Sequence, residues 1–146
     1  MNKQPSLIKI MTVDYAAFLA FTFPVIMWGL YIALVVLQNV KMTDLVLPAI
    51  FTAITIISIG IMAWRIQVFN AIFNDGIEMP ATISNVSFFR DRGRVDYVYT
   101  YQGQKHTAGN AVHKVKQTQA LQVGEQVIVM VDRNNPKRAY IRDLYM

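Results

Sequence analysis

The chain has 146 residues, enough for one ordinary domain or a small domain with an anchor, and too few for a large multidomain enzyme. With no Cys, it cannot form disulfides, thiolate metal sites, iron–sulfur clusters or a cysteine nucleophile. The formal charge is +5, but charge is unevenly spread: residues 15–37 and 45–64 hold 35 apolar side chains in 43 positions and none of the 23 charged residues.

Residues 1–14 read as an N-terminal tail carrying Lys3 and Lys9. From Tyr15 to Leu37 the apolar run is about 35 Å long at roughly 1.5 Å per helical residue, enough to cross a bilayer with some tilt. It is too long for the apolar region of a cleaved signal peptide, and no small-residue cleavage site follows, so it reads as an uncleaved signal-anchor. Leu45 to Trp64 is about 30 Å on the same arithmetic. Only residues 38–44 separate the two runs, which makes them an antiparallel transmembrane hairpin with Thr43 or Asp44 as N-cap of the second helix. The basic residues before the first span and Arg65 after the second outnumber Lys41 in the turn, which predicts both termini on the cytoplasmic side of the membrane.

Within the spans, Ala49, Ala53 and Gly60 fall within about 40° on a helical wheel, a small-residue stripe suited to close packing either inside the hairpin or against another helix. Trp28 and Tyr31 lie near mid-membrane, where their polar atoms need a partner on the sister helix or on another subunit. Pro24 interrupts the first span. No Asp, Glu, Lys, Arg or His lies in either span, which argues against transport by this chain alone.

Residues 65–75 keep a helical period, with Ile66, Val68, Phe69, Ile72 and Phe73 apolar and Gln67, Asn70 and Asn74 polar, and Gly76 is placed to end the helix as a left-handed residue. The period then changes to alternation, so the predicted organisation is a hairpin with helical extension over 15–75 and a β-domain over 76–146. Strands are predicted at 81–89, with Pro80 suggesting a sheet edge, at 95–101, 104–109, 127–131 and 138–141. Arg90 to Gly93 and Gln102-Gly103 are turns; 111–123 has no clear period. About five strands in 70 residues suit a small antiparallel β-barrel-like domain, giving an α+β membrane protein overall. Its core is marginal alone and needs support from the adjoining helix or a partner.

The hairpin followed by Met79-Pro80-Ala81-Thr82-Ile83, then Val95-x-Tyr97-x-Tyr99-x-Tyr101 with Gly103, Val123-Gly124-Glu125-Gln126-Val127, and Val131-Asp132-x-x-Asn135-Pro136-x-x-Ala139 resembles the domain-of-unknown-function family 3592 over residues 76–142. Val131 departs from the aromatic residue common before that Asp. The resemblance implies a bacterial membrane-anchored β-domain with no assigned reaction, and with the two spans a multi-pass protein of the inner (cytoplasmic) membrane.

Chemistry-bearing residues are sparse. His106 and His113, seven residues apart, are not at a metal-ligand spacing, and Asp96 or Asp132 would have to join them. Glu78 and Glu125 are the only glutamates, and Ser84 and Ser87 lack a nucleophile elbow or base. No phosphate-binding Gly-rich loop is present. These patterns predict no enzyme activity, no cofactor and no metal site. Residues 66–146 carry ten basic and seven acidic residues, an ordinary balance for a soluble domain, and the Tyr97, Tyr99, Tyr101 row reads as packing, not as a base-stacking platform; no nucleic acid is expected. Arg90, Arg92 and Arg94 cluster at one hairpin tip, with Lys105, Lys114 and Lys116 as neighbours to be tested, and suit anionic lipid headgroups. The expected partners are membrane lipids and a protein bound through the spans or the β-domain. The leading expectation is a non-catalytic accessory or assembly subunit of a membrane complex. The alternative is a self-associating envelope sensor whose β-domain binds a small ligand or anionic lipid.

Overall fold

A computed structural model of the chain describes residues 4–38 and 45–146. The proposed N-caps Thr43 and Asp44 lie outside the described residues. Helix α1 (Leu7–Val13) is followed at once by α2 (Tyr15–Gln38), and α3 runs unbroken from Val46 to Asp75. Both long helices are apolar and long enough to cross a membrane. Only 6% of the most apolar window of each is buried, so neither is a core helix within this chain. Between them, Trp28 Nε1 donates to Thr55 Oγ1 at 3.0 Å, and Trp28, Tyr31 and Phe51 form three edge-to-face pairs at 5.9–6.0 Å. The mid-span aromatics therefore face the sister helix. The small residues do not: Ala49, Ala53 and Gly60 are exposed on the outer side of α3, and a Cβ on Gly60 would meet nothing within 4 Å.

Five antiparallel strands follow: β1 (Ile77–Phe89), β2 (Arg92–Tyr101), β3 (Gln104–His113), β4 (Gln126–Val131) and β5 (Ala139–Ile141), in sheet order β3-β2-β1-β4-β5. The curled sheet brings β3 back to β5 and is nearly closed, resembling a barrel. Short helices α4 (Lys116–Gln119) and α5 (Arg142–Tyr145) complete the chain. Val95, Tyr97 and Tyr99 are buried on the inner face of β2, as their alternation predicts. In β1 the register shifts between Ile83 and Asn85, so Ala81 and Ile83 face inward before the bulge and Val86 and Phe88 after it.

Four details depart from the sequence reading. Pro80 is in the central strand, not at an edge; it pairs with Ile128 of β4, one residue before the β2 ladder begins at Ala81, so the missing N–H falls where β1 is paired on one side only. β3 continues to His113, because Ala108, Asn110 and Val112 alternate inward in a stretch whose small and polar residues hide the period. Gly76 has an extended backbone (φ −71°, ψ 167°), not a left-handed one; glycine is required because a Cβ would sit 2.1 Å from Ile72 O and 2.9 Å from Val131 O. The segment read as a tail contains α1, whose Ile10 and Val13 are fully buried.

The core explains how a sheet this small is supported. Ile10 and Val13 precede the hairpin, Phe69, Ile72 and Phe73 follow it, and Tyr145 comes from the last helix; all join the strand residues in one cluster. Burying such side chains contributes at most about 1.5–3 kcal/mol each, so the helix residues add to what the strand residues supply. The hydrophobic core therefore runs across the junction between helix and sheet at residue 76.

Candidate functional site at the helix–barrel junction

Asp14 occupies the single residue between α1 and α2. Its backbone bridges to Val112 of β3, and its carboxylate caps α2 by accepting from Ala17 N at 2.9 Å. Arg65, at the far end of the hairpin, reaches the same carboxylate with both arms of its guanidinium, Nε donating to Oδ1 at 3.1 Å and Nη2 to Oδ2. The pair is shielded, with side-chain exposures of 14% for Arg65 and 3% for Asp14. Arg65 also donates to Tyr140 Oη at 3.3 Å and lies over the rings of Phe69, Tyr140 and Trp64 at 5.2–5.8 Å. Charge, cap and aromatic face thus tie the start of α2, the middle of α3 and β5 into one junction.

Beside it, Asn110 bridges the seam where the sheet would otherwise stay open. Its Nδ2 donates to Ala139 O at 2.9 Å and its Oδ1 accepts from Ile141 N at 3.3 Å. Tyr97 Oη lies 2.6 Å from Ala139 O and 3.1 Å from the Asn110 carbonyl. Burial pushes the Tyr97 hydroxyl well above its ordinary value, aided by the neighbouring Tyr99. A cleft of about 270 Å³ opens over this seam, lined by Arg65, Asn110, Lys137, Arg138 and Tyr140.

A second cleft, about 430 Å³, lies between Tyr15 at the start of α2 and the β1–β2 hairpin tip, with Phe88, Arg92 and Arg94 in its wall. The tip is a two-residue turn, Arg90-Asp91, with Arg90 in the left-handed region at φ 56°. Arg94 Nε pairs with Asp96 Oδ1 at 2.7 Å across Gly109, where a Cβ would meet that carboxylate at 2.0 Å. Lys114 reaches the tip through its backbone N–H, which donates to Asp91 O at 2.8 Å. Lys105 does not: it pairs with Thr100 at the other end of β2.

The two histidines lie at opposite ends of β3 and do not converge. His113 stacks on Phe18 at 3.9 Å, and His106 on Tyr99 at 5.8 Å. No group of three or more metal-ligating side chains occurs among the described residues. Glu125 accepts from Gln122 N at 3.0 Å and Glu78 pairs with Arg142 at 3.4 Å, so both glutamates hold local structure. Asp14, Asn110 and Tyr140 were not apparent as site residues in the sequence; the signal that points to Asp14 is a lone acid directly before an apolar span, opposite an arginine directly after the next one.

The fold and junction define a class: a near-closed five-stranded sheet seated on a long apolar helical hairpin. Residues 79–144 match the family model described as Domain of unknown function (DUF3592). The match takes in all of the sheet but the first two residues of β1, and excludes both long helices. No curated protein and no solved structure matches the chain.

Proposed function

We propose that the chain is an integral protein of a bacterial inner membrane that works by contact, as an accessory or assembly subunit, with α2 and α3 crossing the bilayer. One observation carries this reading. The buried polar clusters hold elements of the fold to one another, whereas the outward surfaces of α2 and α3 are apolar and uncovered. The outer face of α3, with Ala49, Ala53 and Gly60, is flat enough for another helix to approach. Extraction from the native membrane in mild detergent, followed by particle mass and identification of co-purifying chains, tests it. A discrete complex with a constant partner supports the reading, and Gly60→Leu then dissociates that complex while leaving the monomer folded. A lone monomer or homo-oligomer removes it.

Both termini lie on the cytoplasmic side in this reading, because the positive residues gather at the open end of the hairpin. A cysteine at exposed Asn134 reports the side: resistance to an impermeant thiol reagent in intact cells supports the assignment, and ready labelling reverses it. The second reading, a sensor of a small ligand or anionic lipid, is favoured by the two clefts with arginine and lysine in their walls.

A further inference from the structure

We propose that the β1–β2 hairpin tip docks on anionic phospholipid headgroups, with Phe89 seated in the interfacial region and Arg90 and Arg92 on the phosphates. The inference rests on the reading that α2 and α3 cross the bilayer.

Two observations set the tip level with the start of α2, and a third sets α1 there too. Its cleft is walled by Tyr15, the first residue of α2, so the tip stands level with the entry of that helix. Arg92 pairs with His113, whose ring stacks on Phe18, one turn further into α2. On the neighbouring α1, Met11 lines a groove with Ala20, Phe21 and Pro24, which sets that helix against the same stretch. The opposite turn, Gln102-Gly103, is at the other end of β2, about 30 Å away at roughly 3.3 Å per residue.

The side chains at the tip suit that position. Strand alternation turns Phe88 inward, across Gly93, and Phe89 outward, where it is 65% exposed. The guanidinium of Arg90 lies 5.4 Å from the centroid of the Phe89 ring. An exposed aromatic ring between arginines is costly in water and favourable at an interface, where the ring meets the upper acyl region and the guanidinium groups meet phosphate. Leu7 and Ile8, on the same face of α1 as Met11, are exposed in the same way. Of the three tip arginines, Arg94 is committed to Asp96, so Arg90 and Arg92 provide the charge left unpaired among the described residues, with the Lys114 backbone bonded to Asp91 beside them.

Because the chain has no Cys, one introduced thiol gives one label. Phe89→Cys, Gln104→Cys and Ile32→Cys, each carrying an environment-sensitive fluorophore, are reconstituted at full length into phosphatidylcholine vesicles with and without phosphatidylglycerol, and quenching by spin-labelled lipid is read. The expected result is strong quenching at 32 and at 89, little at 104, and a gain at 89 when phosphatidylglycerol is present. Arg90→Gln with Arg92→Gln removes that gain, with partition of the tip falling roughly fivefold per arginine. Quenching at 32 with 89 behaving like 104 overturns the proposal, as does quenching at 89 that is indifferent to phosphatidylglycerol. No quenching at 32 overturns instead the spanning reading beneath it.

Discussion

The guanidinium of Arg65 holds both carboxylate oxygens of Asp14, a residue 51 positions earlier, at the point where the two open ends of the hairpin meet the sheet. Removing one partner of a shielded pair leaves the other uncompensated, and the cost is about 3 kcal/mol. Asp14→Asn keeps an oxygen for Ala17 N and loses the charge, so a fall of that size in unfolding free energy in detergent measures the pair and not the cap. Arg65→Met in the same background restores most of the loss. A double variant no better than the sum of the singles would show that the two side chains act independently.

Asn110→Ala deletes the side-chain bridge across the seam and leaves Ile141 N buried without an acceptor. The expected destabilisation is about 2 kcal/mol. Hydrogen exchange localises it: the amides of β5 lose protection before those of β1 and β2, because β5 is the strand that the bridge secures.

Two glycines make opposite predictions. Gly76→Ala drives a methyl group into two backbone oxygens that cannot yield separately, and is expected to cost more than about 2 kcal/mol. Gly60→Ala enters open space in a helix and gains about 1 kcal/mol of helix propensity. Thermal unfolding of both variants in one detergent separates them by sign.

Tyr97 and Tyr145 are buried, and burial raises both hydroxyls well above the ordinary value of 10.0. The folded protein keeps these two protons where the unfolded chain has lost them, so their contribution is present below pH 10 and is lost as pH rises through that value and beyond. Phenolate absorbance should rise first from the accessible tyrosines, and from these two only together with loss of the fold. The hydroxyls differ in one respect: Tyr97 Oη meets Ala139 O and the Asn110 carbonyl, while Tyr145 Oη has no hydrogen-bond partner among the described residues. Tyr97→Phe should therefore destabilise by about 1 kcal/mol, and Tyr145→Phe should be neutral or stabilising.

The hairpin and most strands were legible because their signals are local: charge-free runs for α2 and α3, and alternation at Val95, Tyr97 and Tyr99 for β2. What was missed depends on distant neighbours. Ile10 and Val13 sit in a short segment whose apolar residues gain meaning only from the groove that receives them. Asn110 lies where small and polar residues blur the period, and its role exists only because β5 returns beside β3. The basic tip was visible as three alternating arginines, but its level beside Tyr15, and the commitment of Arg94 to Asp96, follow from the curl and register of the sheet.

The core draws Ile10 and Val13 from before the hairpin and Phe69, Ile72 and Phe73 from after it, and it also needs Tyr145. Tyr145 packs on Phe69 and Phe73, so its cover depends on the open end of α3 standing beside the sheet, where Asp14 also meets Arg65. A chain with one helix misplaced would leave its share of that core, Ile10 and Val13 or Phe69, Ile72 and Phe73, exposed to proteases and to other unfolded chains. Completion of the sheet's core is thus coupled to the placement of both helix ends.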